Sequence, residues 1–157
     1  MWQDILGANR FDILPNLIAL AIAYALAFPI GWNRERQDRS AGLRTFPLVA
    51  VAACGFIQAA EPLIAVEPAA MARIVEGVIT GMGFIGGGAI LQTKNSVKGT
   101  ATAASLWVTG AIGVAVGLGS YGIAVVLSAI TFVTLWALSD VKDKIAPDDE
   151  TTAEDGT

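Results

Sequence analysis

The chain has 157 residues, of which 54% are hydrophobic and 15% charged, and its formal net charge is −4. Charged residues make up about a quarter of an ordinary soluble domain, so the composition excludes that class and favours one membrane-embedded domain. Five acids lie in the last ten residues and the remainder is close to neutral, which leaves no basic surface for a nucleic acid. The chain has no histidine and a single cysteine, Cys54. This excludes an internal disulfide, and no catalytic, cofactor-binding or metal-ligating residue is predicted.

Five long apolar segments follow one another along the chain, and each predicts a membrane-spanning helix because about 20 apolar residues cross the hydrocarbon core. They cover about 13–32, 46–60, 71–91, 101–118 and 123–138. The second is short unless it begins at Leu43 or continues past Pro62. The predicted fold class is all-α, a polytopic membrane protein with about five transmembrane helices and close packing at glycines.

The predicted helical domain covers residues 13–140 and is flanked by two short segments. The N-terminal segment, 1–12, lacks the basic region of a signal peptide, so we expect the first helix to stay in the mature protein. The C-terminal segment, 141–157, is acidic and is expected to be disordered.

Lysines and arginines predict the orientation of the helices, because cytoplasmic loops are enriched in both. The loop after the first helix has four arginines, the loop after the third has Lys94 and Lys98, and the C-terminal flank has two lysines. The other side has Arg10 and, at the end of a helix, Arg73. We therefore expect the N-terminus outside the cell and the C-terminus in the cytoplasm.

Arg73 and Glu76 lie three residues apart near the start of the third helix, on one helical face. Ionisable groups inside a membrane are costly and often functional. One interpretation has Glu76 line a cation path, with its charge balanced by Arg73 or by the ion. The other has the two residues form a salt bridge that holds the helix at the membrane surface.

The loop after the first helix holds five further candidate functional residues: Arg34, Glu35, Arg36, Arg44 and Thr45. As a topology signal, its charges would only meet anionic lipid head groups. Arg44 and Thr45, however, lead directly into the second helix. An arginine there can also cap helix carbonyls or hold a phosphate or carboxylate of a partner, so both interpretations stay open.

Glycines recur at four-residue spacing in the third and fourth helices, where they would let helix backbones pack closely in lipid. The pairs are Gly77 and Gly81, Gly83 and Gly87, and Gly113 and Gly117. The glycine run at 86–88 has a second interpretation, in which it breaks the helix and frees carbonyls for an ion.

Thr102, Ser105 and Thr109 share one face of the fourth helix, and Thr102 and Ser105 are further candidate functional positions. Hydroxyls in such a helix usually bond neighbouring helices or their own preceding carbonyls. Without a histidine, none has an obvious base to activate it, so catalysis is not expected.

Five motifs occur in a fixed order: Arg34-Glu35-Arg36-Gln37, Ala41-Gly42-Leu43-Arg44-Thr45, Gly81-Met82-Gly83-Phe84-Ile85-Gly86-Gly87-Gly88-Ala89-Ile90, Val97-Lys98-Gly99 and Thr102-Ala103-Ala104-Ser105-Leu106-Trp107. In these motifs, over residues 17–138, the chain resembles the MgtC/SapB family. The resemblance implies a bacterial inner-membrane protein with four or five spans. It also implies links to magnesium limitation, to survival inside host cells and, in some members, to restraint of the ATP synthase.

Three features depart from the family pattern. Phe46 stands where the family often has histidine, and Gly99-Thr100-Ala101-Thr102-Ala103-Ala104 stands where it often has Gly-Leu-Thr-Thr-Ala-Ala. Many members also have a soluble C-terminal domain, in place of which we expect only the acidic tail.

From the resemblance and the residues together we expect a non-enzymatic protein of magnesium, ion or envelope homeostasis that acts by contact with another membrane complex. The expected partners are the lipid bilayer, a second copy of the chain, or a complex such as the ATP synthase or a magnesium transporter. No cofactor and no nucleic acid are expected. The alternative is a subunit of an oligomeric Mg²⁺ or H⁺ transporter or channel.

Overall fold

The computed structural model describes residues 13–37, 39–64, 67, 69–92 and 96–145 of the chain. Within these ranges the elements are α1 (Ile13–Glu35), α2 (Thr45–Ile64), α3 (Ala70–Gly88), β1 (Leu91–Gln92), β2 (Val97–Lys98), α4 (Thr100–Gly117) and α5 (Tyr121–Ile145). The predicted all-α fold is confirmed. α5 continues to Ile145, beyond the predicted domain boundary at 140. The predicted N-terminal segment and residues 146–157 of the predicted tail lie outside the described ranges.

Four of the five helices in this part of the chain are long and apolar enough to cross a membrane: α1, α2, α4 and α5. The predicted third span, α3, has a comparable length of 19 residues but is not among the four. Arg73, Glu76 and six glycines lower its apolar content. The polytopic membrane architecture is confirmed.

α2 is longer than the predicted segment 46–60. It begins at Thr45 and continues through Pro62 to Ile64. Pro62 has no N–H to donate to the Gln58 carbonyl, so α2 loses one backbone hydrogen bond there but does not end. The 20 residues of α2 therefore give a length of about 30 Å, which matches a hydrocarbon core.

α4 lies at the centre of the bundle, where it contacts the other four described helices. Half of its residues are buried. Gly113 lies against Ala50 of α2, and Gly117 lies against Ile57, so α2 and α4 run parallel. Gly86 of α3 lies against Ala103. The side chain of Met82 in α3 contacts Gly110, so α3 runs antiparallel to α4.

α1 and α5 complete the bundle on the other side of α4. Gly31 of α1 lies beside Phe46, and the Gln58 amide donates to the Asn16 carbonyl, so α1 is antiparallel to α2. A short turn after Gly117 reverses the chain into α5. As a result α1, α3 and α5 run one way, α2 and α4 run the other, and the start of α1 and the end of α5 lie at opposite ends of the bundle.

We call the two ends of the bundle the basic end and the far end. The basic end holds the loop between α1 and α2 and the hairpin of β1 and β2, in which Leu91 pairs with Lys98 and Gln92 with Val97. The far end holds the α2–α3 link and the α4–α5 turn. The hairpin was not predicted, because strands of two residues show no alternation of apolar and polar side chains.

Candidate functional site

Glu35 joins the end of α1 to the start of α2. Its Oε2 atom accepts a hydrogen bond of 3.0 Å from the backbone N–H of Leu43. Gly42 makes room for this bond, because a Cβ there would collide with the Glu35 carboxylate. Leu43 lies in the turn two residues before α2, and the N-terminus of a helix favours a nearby negative charge. The two arginine-containing motifs of the α1–α2 loop thus form one structural unit.

Arg34 lies inside the basic end and is only 4% exposed. Its Nη2 atom donates to the side chains of Asn33 at 3.0 Å and Gln37 at 2.9 Å. Its Nε atom has no hydrogen-bond partner among the residues that the structure describes. The neighbouring carboxylate, Glu35, is bonded to Leu43 instead. Arg34 is therefore held by neutral side chains, whereas Arg36 is exposed.

The carbonyl of Ala89 is where the α1–α2 loop, α3 and α4 meet. The Ser40 hydroxyl donates to this carbonyl at 3.4 Å. Gly99, which precedes α4, has a φ of +91° and packs against the same oxygen, so that a Cβ there would collide with it. Glycine is required on both grounds, because residues with a side chain rarely adopt such a φ. The loop is thereby fixed to the ends of two helices.

A groove of about 920 Å³ runs between α2 and α3. We call it the α2–α3 groove. Its walls are apolar side chains, among them Leu48, Phe56, Val78 and Ile85. The rest of its lining is mostly alanine and glycine, including Gly77 and Gly81. Arg44 and Thr45 line it at the basic end and Arg73 at the far end. The candidate residues Arg44, Thr45 and Arg73 therefore border one feature from opposite ends.

The arginines at the two ends of the groove differ in their partners. Arg73 makes a salt bridge of 3.4 Å to Glu67 and is 73% exposed. Arg44 is exposed and makes no salt bridge within the described part of the chain. Neither bonds Glu76, so the Arg73–Glu76 salt bridge that the spacing suggested is not formed. The α2–α3 link supplies the counter-charge of Arg73, which helical spacing cannot show.

Glu76 belongs to a second surface of α3, directed away from the rest of the bundle. Glu76, Thr80, Gly83 and Gly87 are all exposed and follow helical spacing, and we call them the outer face of α3. The neighbouring Phe84 is 87% exposed. Glu76 makes no salt bridge to any described residue. The outer face therefore combines an unpaired carboxylate with bare backbone.

The three glycine pairs lie in different surroundings. A Cβ at Gly113 or Gly117 would collide with α2, so this pair lies where α4 crosses α2. At Gly77, Gly81, Gly83 and Gly87 a Cβ would meet nothing within 4 Å. Within the chain these four do not form a helix crossing, which differs from the expectation. α3 also continues through Gly88, so its glycine run does not break the helix.

Two buried hydroxyl groups of α4 bond carbonyls of their own helix. Thr102, Ser105 and Thr109 are buried. Ser105 Oγ donates to the Thr102 carbonyl at 3.0 Å, and Thr109 Oγ1 donates to the Ser105 carbonyl at 2.8 Å. Such bonds satisfy the buried hydroxyls of Ser105 and Thr109 within their own helix. Among the described residues there is also no group of three or more His, Cys, Asp or Glu side chains that could hold a metal ion.

The MgtC family model matches residues 20–144. The chain belongs to the MgtC family. This confirms the membership that the sequence motifs indicated. Within the family, the chain is 39% identical to protein SrpB of Synechococcus elongatus over 145 residues, which cover 85% of the chain and 80% of SrpB.

Two further MgtC-family relatives are longer than the chain. It is 37% identical to protein MgtC of Salmonella typhimurium over 113 residues, 72% of the chain and 48% of that protein. It is 33% identical over 125 residues to the putative magnesium transporter YhiD of Escherichia coli, covering 76% of the chain and 58% of that protein. The chain thus spans about half the length of these two relatives. No solved structure matches it.

Proposed function

We propose that the chain is a non-enzymatic membrane protein of magnesium or envelope homeostasis, and that it acts by binding another membrane protein through the outer face of α3. The link to magnesium rests on membership of the MgtC family and on the relative named as a putative magnesium transporter. The observation that carries the binding role is that Glu76 has no ion-pair partner among the described residues and lies on an exposed face where glycines leave the backbone uncovered.

Because of the position of Glu76, exposing the outer face of α3 to lipid costs free energy. Glu76 is six residues past the start of α3, which places it about 9 Å along the helix at 1.5 Å per residue. α3 packs along α4, one of the helices long and apolar enough to span the membrane, and we therefore place Glu76 within the bilayer, towards the far end. Acidic side chains inside the hydrocarbon cost up to about 3 kcal/mol and are usually turned towards protein. A partner that covers Glu76 removes this cost.

The glycines of the outer face specify the kind of partner. Nothing lies within 4 Å of an added Cβ at Gly83 or Gly87, so the backbone of another helix can approach α3 closely there. Close approach is the main source of helix association in lipid, where no hydrophobic force acts between helices. The proposed partner is therefore a transmembrane helix with a polar side chain at the level of Glu76. A second copy of the chain, the ATP synthase and a magnesium transporter are the candidates to test.

Gly83→Leu tests this proposal, because it adds a side chain to the outer face at a position where a Cβ meets no atom within 4 Å. We expect Gly83→Leu to abolish the growth that the wild-type gene restores to a deletion strain in limiting magnesium. A photo-crosslinker at Phe84, beside the outer face, should capture one defined membrane protein, and Gly83→Leu should abolish the adduct.

Ile130→Leu is the matched control, since Ile130 is an exposed residue on α5. It should leave growth and adduct unchanged. Full growth of a Gly83→Leu strain with normal protein levels would refute the proposal.

The alternative, a subunit of an oligomeric cation transporter, is favoured by the same carboxylate and by the name of the YhiD relative. It predicts Mg²⁺ or H⁺ flux into liposomes that contain only this protein. The flux should be lost in Glu76→Gln and kept in Glu61→Gln, which changes an exposed acid at the far end of α2. Absence of flux at high protein density would exclude this alternative.

A further inference from the structure

The α2–α3 groove is a surface feature of membrane length that lies apart from the outer face of α3. Its wall residues Leu48 and Phe56 are 64% and 60% exposed, so the groove opens away from the bundle. Its volume of about 920 Å³ lies at the upper end of the range for ligand pockets, about 300–1,000 Å³. An apolar occupant of considerable size is required to fill it.

Charge distinguishes the two ends of the groove. At the far end, Glu67 neutralises Arg73. At the basic end, no described residue neutralises Arg44, the one arginine that lines the groove there. The groove therefore has one positive end and one neutral end. The complementary ligand is an amphiphile with one anionic head and an apolar body.

The part of the groove between Arg44 and Ala53 is about as long as one leaflet of the bilayer, and the groove continues beyond it to Leu63. Arg44 and Ala53 both line the groove and are nine residues apart. Nine helical residues rise about 14 Å, which is close to half of a hydrocarbon core of about 30 Å. An acyl chain that starts at Arg44 would reach the middle of the membrane beside Ala53.

We infer that the α2–α3 groove binds one anionic phospholipid, with its head-group phosphate at Arg44 and its acyl chains against α2 and α3. A guanidinium binds a phosphate through two parallel hydrogen bonds, which fixes the head group as well as attracting it. Gly77 and Gly81 leave the α3 side of the groove without side chains, so the acyl chains can lie close to the helix backbone.

A helix from a second copy is a poorer match for the basic end of the groove. Such a helix would need an acidic side chain opposite Arg44. Glu35 is the acid whose side chain the structure describes at that end, and its carboxylate is already bonded to Leu43. A phospholipid brings its own negative charge at the depth of the head groups, where Arg44 lies.

Native mass spectrometry of the delipidated full chain tests the inference, with equal amounts of dioleoyl phosphatidylglycerol and dioleoyl phosphatidylcholine added. The wild type should retain one phosphatidylglycerol in preference to phosphatidylcholine. Arg44→Gln should weaken phosphatidylglycerol binding about fivefold, the equivalent of about 1 kcal/mol per basic residue at an anionic membrane surface. Arg44→Lys, which keeps the charge but cannot form the two parallel hydrogen bonds, should bind phosphatidylglycerol more weakly than the wild type and more tightly than Arg44→Gln.

Gly81→Leu tests whether the groove itself holds the lipid. The new side chain enters the groove, where nothing lies within 4 Å of its Cβ, so the fold is preserved while the space is filled. We expect loss of the bound lipid. The matched controls are Gly83→Leu, on the same helix but outside the groove lining, and Arg36→Gln, which removes a charge from the same loop. Both should bind as the wild type does.

Three results would overturn the inference. Equal losses in Arg36→Gln and Arg44→Gln would show a diffuse attraction of lipid to the loop. Unchanged binding in Gly81→Leu would show that the lipid lies elsewhere. A dimer that excludes lipid and dissociates in Gly81→Leu would assign the groove to a second copy of the chain. None of these results bears on the outer face of α3, which is tested through Gly83.

Discussion

At the scale of single residues, the hydrogen bond between Glu35 and Leu43 depends on the missing side chain of Gly42. Gly42→Ala would push the carboxylate aside and break that bond. A hydrogen bond to a charged group contributes about 1.5–3 kcal/mol, and less where it is exposed as here. We therefore expect Gly42→Ala to lower the free energy of unfolding by about 1 kcal/mol, measured by thermal or denaturant unfolding in detergent.

A double-mutant cycle separates this effect from crowding of the backbone. Glu35→Ala should lower the free energy of unfolding by about as much as Gly42→Ala does, because either change removes the same hydrogen bond. In the Glu35→Ala background, Gly42→Ala should then cost much less than it does alone. If the two substitutions lowered the free energy of unfolding by strictly additive amounts, Gly42 would be needed for a reason other than its contact with the carboxylate.

At the scale of helices, two glycine pairs with the same spacing predict opposite responses to one substitution. In Gly113→Ala, the new Cβ lies 2.8 Å from that of Ala53 and closer still to the Ala50 carbonyl, so α2 and α4 must move apart. Such overpacking costs about 1–3 kcal/mol. In Gly77→Ala the new methyl group meets nothing, and the higher helix propensity of alanine should stabilise α3 by up to about 1 kcal/mol.

Circular dichroism during denaturant unfolding of the two variants checks this contrast. Gly117→Ala should resemble Gly113→Ala, because its Cβ would lie 2.7 Å from that of Ile57. Gly81→Ala should resemble Gly77→Ala. Equal destabilisation by all four substitutions would contradict the crossing of α4 with α2 as the place where close packing is needed.

At the scale of the whole molecule, the antiparallel order of α1 to α5 puts the basic end on one side of the membrane and the far end on the other. The positive-inside rule assigns the basic end to the cytoplasm. Single cysteines test this assignment in a Cys54→Ala background. We expect a membrane-impermeant maleimide to label Leu118→Cys in intact cells and Ser40→Cys only after permeabilisation, since both positions are exposed. Labelling in the opposite order would reverse the orientation.

Features governed by composition along the chain could be predicted from the sequence, and features governed by contacts between distant residues could not. Apolar runs predicted the starts of the five helices to within two residues, but not every end: α2 continues through Pro62 to Ile64, and α5 continues through charged residues to Ile145. Spacing could not tell Gly77 from Gly113, because a four-residue interval fixes a face but not what lies opposite.

The candidate site shows the same division. The sequence shows the motifs at 34–37 and 41–45 as two separate motifs. The hydrogen bond between Glu35 and Leu43 that joins them is visible only in the folded chain. Arg73 and Glu76 share a face by spacing, but Glu67, from the link before α3, is the acid that reaches Arg73. The α2–α3 groove had no sequence signal, since it is defined by the space between two helices.

The attachment of α3 at Ala89 has a mechanical consequence. The Ser40 hydroxyl and the packing of Gly99 hold this end of the helix, and the close contacts of Met82 and Gly86 with α4 also lie in its C-terminal half. α3 is therefore held more firmly at its C-terminal end than at its start. A tilt of α3 about this end would change the width of the groove most beside Arg73 and least beside Arg44.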